Sequence, residues 1–169
     1  MNAAHTGNSV GMPRLPADAD LPALLALNNT HAVELSWQEP AAFAQLLECA
    51  CFVRSIGGAD ALLVAFDQDA AYDNANFAWQ KARYPRFVYI DRVVVAAHAR
   101  GRGLARMLYA ELSAWALAQG HERLVCEINA DPPNPGSVAF HQGLGFRPVG
   151  EAQLGNGKTV SYYERLLRA

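Results

Sequence analysis

Three observations on the sequence predict an α/β fold. A largely β-branched run, Val88 to Val95, is broken only by Tyr89, Asp91 and Arg92. A glycine-rich turn, Arg-Gly-Arg-Gly-Leu-Ala, follows at Arg100–Ala105, and a segment with helical apolar spacing runs from Leu104 to Gln119. A further alternating strand then covers Arg123–Asn129. Strand, tight turn, helix and strand in that order is the α/β pattern.

Composition bounds the remaining possibilities. A chain of 169 residues, 51% hydrophobic and 18% charged, can bury a proper core in one domain. The expected division is a flexible leader over 1–11 and a single domain over 12–169. A formal net charge of −2 argues against a nucleic-acid partner. No apolar run reaches the length of a membrane span, so no membrane partner is expected. Met1 to Met12 is polar and lacks a signal-peptide core, which points to the cytoplasm. Cys49, Cys51 and Cys126 are an odd set with no metal-ligand spacing, and all three read as small buried apolar residues in a reducing compartment.

The elements read in order as follows. Met12–Leu15 suits a short edge strand. Asp18 or Asp20 can cap a helix with Pro22 early in it, and Leu21, Leu24, Leu25 and Leu27 carry that helix to Asn28–Asn29. Ser36–Pro40 is a loop and Ala41–Ala50 a short helix. Cys51–Ser55 and Ala61–Phe66 are strands joined by a hairpin at Gly57–Gly58. Asp67–Tyr84 is long and aromatic with no clean period, and reads as a functional loop or a surface excursion packed by its own aromatics. Arg86–Val95 is the central strand. In the next helix Leu104, Met107, Leu108, Leu112, Trp115 and Ala116 face the core, and Gly120 ends it. On Arg123–Asn129, Leu124, Cys126 and Ile128 share one face and Val125, Glu127 and Asn129 the other. Asn134 and Pro135 start a short helix through His141. Phe146–Val149 and Val160–Leu167 are the closing strands.

The turn at Arg100–Ala105 carries the chemistry. A helix start presents backbone N–H groups without intrahelical partners, and the helix dipole adds positive charge there. Glycines let a ligand approach those donors, so the turn suits a phosphate or pyrophosphate. It is not a P-loop, because no Lys-Ser or Lys-Thr follows Gly101 or Gly103. It is not a dinucleotide fingerprint either, because Arg106 stands at the third glycine position. Arg100, Gly103 and Ala105 instead fill the Q/R-x-x-G-x-G/A signature, and the turn resembles the acyl-CoA loop of the GNAT superfamily of N-acyltransferases. A second motif of that family, N-x-x-[AS]-x-x-[FL]-Y-x-x-x-G-F, is matched by Asn134, Ser137, Phe140, Gly145 and Phe146. The resemblance runs from about Arg14 to the C-terminus.

The resemblance implies a mixed, twisted sheet of six or seven strands with helices on both faces, splayed between the two central strands. It implies acetyl-CoA as acetyl donor and no metal. The pantetheine arm would bond to the backbone of Val93, Val94 and Val95. The pyrophosphate would lie on Arg100, Gly101, Arg102, Gly103, Leu104, Ala105 and Arg106. Asn134, Ser137, Phe140 and His141 would complete the cofactor side. The reaction implied is direct transfer of acetyl to a primary amine. Glu127 matches a base position of some relatives, and Asp91 is the rival carboxylate. The alternative for each is a solvated or paired strand carboxylate. The family commonly has Tyr where this chain has His141, whose roles are proton donor to the leaving thiolate or simple packing. His98 reads as an exposed loop residue, and His5, His31 and His121 suggest no metal site. A small-molecule amine is expected as acceptor rather than a protein, with acidic and aromatic residues in Asp67–Tyr84 hinting at a cation. The chain is expected to be a monomer or homodimer. The alternative function is a CoA or acyl-CoA sensor or scaffold without turnover.

Overall fold

A computed structural model describes residues 11–167, so the leader expected at 1–11 lies, but for Gly11, outside the described residues, as does His5. Its elements in chain order are α1 (Leu21–Thr30), α2 (Ala32–Leu35), α3 (Pro40–Cys49), β1 (Phe52–Ile56), β2 (Ala61–Asp67), α4 (Ala75–Lys81), β3 (Val88–Val95), α5 (Leu104–Ala118), β4 (Arg123–Asp131), α6 (Pro135–Gly143), β5 (Arg147–Gln153) and β6 (Thr159–Leu166). The six strands form one open sheet in the order β1-β2-β3-β4-β6-β5, with helices on both faces. Every neighbouring pair is antiparallel except β3 and β4.

That exception shapes the molecule. The parallel pair is hydrogen-bonded only at Val88↔Leu124 and Tyr89↔Val125, after which the strands part. The second half of each strand therefore has a free edge facing a cleft, where unpaired N–H and C=O groups are available to a ligand. The splay implied by the resemblance is present, between the strands named for it.

Most elements lie within a residue or two of the expected ones. The differences have physical causes. Met12–Leu15 makes a single bridge, Arg14↔Ser55, and no strand, because Pro13 and Pro16 remove two of the donors a ladder would need. Asp67–Tyr84 contains α4, which at seven residues is too short to show a helical period. Asn74 caps it, its side-chain oxygen accepting from the N–H groups of Asn76 and Phe77. Its aromatics pack onto the sheet and not only on one another: Phe77 is buried, and the half-buried Tyr72 and Trp79 stack on Phe66 at 4.2 Å and on Tyr162 at 3.8 Å. Trp79 lies so close over β5 that a Cβ on Gly150 would come within 2.5 Å of its ring. Of the cysteines, Cys126 is buried, Cys51 is partly so and Cys49 is exposed, at the free C-terminal end of α3.

The apolar face of α5, with Leu104, Leu108, Leu112 and Ala116, packs against β1, β2 and β3. Met107 and Trp115 are partly buried at its flanks, and Tyr109, which the apolar spacing passed over, is buried with them. Among the described residues no helix is long and apolar enough to cross a membrane.

Candidate active site

The turn before α5 has the geometry its sequence suggested. Gly101 and Gly103 both adopt φ +75°, the left-handed region that β-carbons disfavour, and a Cβ on either would meet nothing within 4 Å. Gly103 is the N-cap of a 15-residue helix. The N–H groups ahead of Met107 have no intrahelical acceptor, Met107 being the first to bond back, to Gly103 at 3.1 Å.

Val93, Val94, Val95, Arg100, Ala105, Asn134, Ser137, Phe140 and His141 all line one groove of about 530 Å³. Arg100, Gly101, Gly103, Leu104, Ala105, Arg106 and Phe140 line an adjoining cavity of about 370 Å³. Nearly the whole expected cofactor set is thus brought together. Arg102 is the exception: its guanidinium turns to Asp60 at 3.3 Å, beside His98 on the same carboxylate at 2.8 Å. Its charge is partly neutralised there, and its backbone N–H is what remains for a ligand. The Leu104 side chain belongs to the core, so it too could contribute only its N–H. His98 is exposed, as expected.

The two candidate carboxylates differ sharply. Asp91 is committed: one oxygen accepts from the Tyr72 hydroxyl at 2.6 Å, the other from Arg92 Nε at 2.5 Å. Arg92 is itself buried and donates through Nη1 to Asn28 at 2.6 Å. Strict alternation would send neighbouring residues to opposite faces, yet Asp91 and Arg92 line the same cavities. The cause is a register shift: Val64 pairs with Arg92 and Ala65 with Ile90, leaving Asp91 as the extra residue of a β-bulge.

Glu127 is half-committed. Its Oε1 accepts from Asn76 Nδ2 and from the Tyr89 hydroxyl, both at 3.0 Å. Its Oε2 is buried and has no partner. Asn76 is held in turn by Tyr162, whose hydroxyl donates to Asn76 Oδ1 at 3.0 Å. That bond orients the amide with its N–H₂ toward Glu127. Burial, with the nearby charge of Asp91 second, pushes the Glu127 carboxyl up to about 8, against the lowering effect of its hydrogen bonds. A carboxylate with one oxygen pinned, the other free, and a pKa near neutrality is suited to general-base chemistry.

His141 is placed differently from the donor role considered for it. Nδ1 lies 2.8 Å from the Ser137 carbonyl, so it carries the proton and donates there. Nε2 lies 2.7 Å from the Tyr109 hydroxyl and accepts from it. Burial holds the ring below the ordinary histidine range, which keeps it neutral. Both nitrogens are engaged, so this histidine offers the cleft no free N–H.

Asn76, Tyr72, Tyr89, Arg92, Tyr109 and Tyr162 were missed as site residues from sequence. Only Tyr89 had a signal, its place two residues before Asp91 on the same strand face. Among the described residues no group of three His, Cys, Asp or Glu side chains could hold a metal.

Comparison with known proteins bears on the fold and the family. The fold is similar to that of Ard1 from Thermoplasma volcanium, with a TM-score of 0.74 at 14% identity, covering 94% of this chain and 99% of that one. An N-acetyltransferase from Staphylococcus aureus Mu50 gives 0.70 at 23%, covering 94% and 99%. The ribosomal-protein-alanine N-acetyltransferase from Brucella melitensis gives 0.67 at 24%, covering 92% and 99%. At such identities the likeness is one of fold. No curated protein matches the sequence. Residues 59–146 match the sequence model of the acetyltransferase (GNAT) family, which spans both the glycine turn and the Asn134–Phe146 motif. The chain belongs to the acetyltransferase (GNAT) family.

Proposed function

We propose that this protein is an N-acetyltransferase that moves acetyl from acetyl-CoA to a primary amine by direct attack, with Glu127 as general base. The observation that carries the reading is the unpartnered, buried Oε2 of Glu127 beside the cleft where β3 and β4 part. The residues present fit the cofactor. The open glycines and free N–H groups of the Arg100–Arg106 turn suit its pyrophosphate, and the free edge of Val93–Val95 suits its amide-bearing arm. Acetyl-CoA supplies an acetyl group activated as a thioester.

The chain's own residues do the rest. An amine arrives as an ammonium and cannot attack until a proton is lost. Glu127 Oε2 takes that proton, while Asn76 and Tyr89 hold Oε1 and so fix the direction of the free lone pairs. The N–C bond then forms and the C–S bond breaks with its electron pair on sulfur. The second N–H proton passes to that sulfur, leaving an amide and a thiol. Asp91 and Arg92 form a closed pair and take no proton in this scheme. The free thiols of Cys49, Cys51 and Cys126 accord with a cytoplasmic setting.

Calorimetric titration with acetyl-CoA, followed by a thiol-release assay over a panel of primary amines, tests the reading. Binding together with amine-dependent thiol release is the expected result. Binding with no release for any amine would make the protein a CoA sensor, and no binding would leave only the fold.

A further inference from the structure

Glu127 is linked to a cross-strand neighbour through a third residue. Tyr162 of β6 is its register partner, so both side chains rise from the same face of the sheet. The link runs from the Tyr162 hydroxyl to Asn76 Oδ1 and from Asn76 Nδ2 to Glu127 Oε1, each step 3.0 Å. The Tyr162 ring is held in place. It is buried and stacked on Trp79 at 3.8 Å, and the Arg83 guanidinium lies 3.4 Å over the Trp79 ring. Gly150, opposite Tyr162 on β5, leaves room for that stack, since a Cβ there would come within 2.5 Å of Trp79. Trp79 and Asn76 stand about one helical turn apart on α4, so the stack that fixes Tyr162 also fixes Asn76.

An amide has two ends, and either could face Glu127. An ionised carboxylate only accepts, so it needs the N–H₂ end, whereas a protonated one can donate to the carbonyl end. The Tyr162 hydroxyl occupies Oδ1 and leaves the N–H₂ for Glu127. Without that hydroxyl, Oδ1 would be a buried acceptor lacking a donor, and an amide turned over to take the proton of neutral Glu127 would satisfy it. Tyr162 therefore favours the charged, proton-accepting state of the base.

We propose that Tyr162 is a positioning residue for the base: acting through Asn76, it keeps an N–H on Glu127 Oε1 and leaves Oε2 free for the proton. The inference rests on the acetyltransferase reading and deepens it. Other titratable and charged groups surround the carboxyl. Tyr89 and the Asp91–Arg92 pair face it from β3, with Tyr72 ahead of α4 and Cys126 adjacent on β4. Tyr109 and His141 share one cavity with it, and Glu34 and Lys158 another. Among the described residues none of these is hydrogen-bonded to Asn76 or Tyr162, so the hydroxyl reaches Glu127 by way of Asn76.

Two readouts test this in wild type, Tyr162→Phe, Asn76→Ala and the double variant. Tyr162→Phe keeps the ring on Trp79 and removes only the hydroxyl. The first readout is the titration midpoint of the Glu127 carboxyl, followed by carbon-13 NMR of labelled glutamate and assigned by its absence from Glu127→Gln. The second is kcat against pH at saturating acetyl-CoA, with the amine that gives the fastest thiol release. The Tyr162→Phe midpoint should lie about half to one pH unit above wild type, the scale of one hydrogen bond to the charged form. The rising limb of kcat should move with it, lowering kcat about 3- to 10-fold on that limb, while KM for acetyl-CoA stays within about twofold. In the Asn76→Ala background the same change should move neither. An unmoved midpoint in Tyr162→Phe, or a shift of equal size with and without Asn76, would overturn the positioning role. A shifted midpoint with no thiol release from any of the four proteins would leave the hold on Glu127 standing and overturn the acetyltransferase reading.

Discussion

The two halves of the cleft are built on different principles. The half proposed for the cofactor is backbone: the start of α5, the free edge of β3 and the glycines between them. The half proposed for the acceptor is side chain: Glu127 from β4, Asn76 from α4, Tyr89, Asp91 and Arg92 from β3, Tyr162 from β6 and Asn28 from α1. Backbone donors need only permissive residues in consecutive positions. A buried hydrogen-bonded network needs partners from several elements, each satisfied, because an unpaired polar group inside is costly. The halves should accordingly fail in separable ways, one losing affinity for the cofactor and the other losing turnover.

The largest effect is expected in the acceptor half. Glu127→Gln should lower kcat by about 10²-fold or more while acetyl-CoA affinity stays within about twofold, since the base acts on the amine. Asp91→Asn should behave otherwise. It strands the buried Arg92 guanidinium, so its damage should appear first in the melting temperature, and retained stability in that variant would show that the pair is less closed than its geometry.

In the cofactor half, Gly103→Asp should weaken acetyl-CoA binding by about 10- to 100-fold, the scale of lost charge-assisted contacts. Aspartate is among the residues that tolerate φ near +75°, so the variant should fold. Unchanged calorimetric affinity would move the pyrophosphate elsewhere.

These halves also differed in how far they could be read from sequence. The glycine turn, the capping Asn134–Pro135 pair and the apolar face of α5 are contiguous or periodic, so the fold, the splay and the gathering of these residues around one groove were legible. The ion pair that engages the Arg102 guanidinium had no local mark, because its partner, Asp60, lies 42 residues away. The network around Glu127 was illegible for the same reason. Asn76 sits 51 residues from Glu127, in a helix too short to show a period. The bulge that brings Asp91 and Arg92 to one face is a register event between strands, with no local sequence mark. His141 matched a motif position, but what it does depends on Tyr109 from a different helix.

A smaller effect links the acceptor half to stability. Glu127 titrates near 8 in the folded protein, against about 4.5 ordinarily, so folding disfavours its charged form. Below the ordinary value the group is neutral in both states and costs nothing. As pH rises from there to about 8 the unfolded chain ionises first and stability declines. Denaturant titrations should therefore find Glu127→Gln more stable than wild type by an amount growing to on the order of a few kcal/mol across that window. A constant difference from acid to alkaline pH would mean that the carboxyl is not perturbed.

His141→Phe should have the smallest effect on turnover, less than about threefold. It leaves the Tyr109 hydroxyl and the Ser137 carbonyl without their ring partner, and should lower stability by about 1–3 kcal/mol. A tenfold loss of kcat at full occupancy by folded protein would restore a donor role to the histidine.

The central claim is that Glu127 is the base and that its environment sets when it works. Its most direct test is kcat against pH at saturating acetyl-CoA and acceptor, for wild type and Glu127→Gln. A base that titrates near 8 must lose its proton before it can accept one from the amine. Wild-type kcat should rise about tenfold per pH unit below that value and level off above it, and Glu127→Gln should be slow without that limb. A wild-type profile flat from about pH 6 to about pH 8, or the same rising limb in Glu127→Gln, would contradict the assignment.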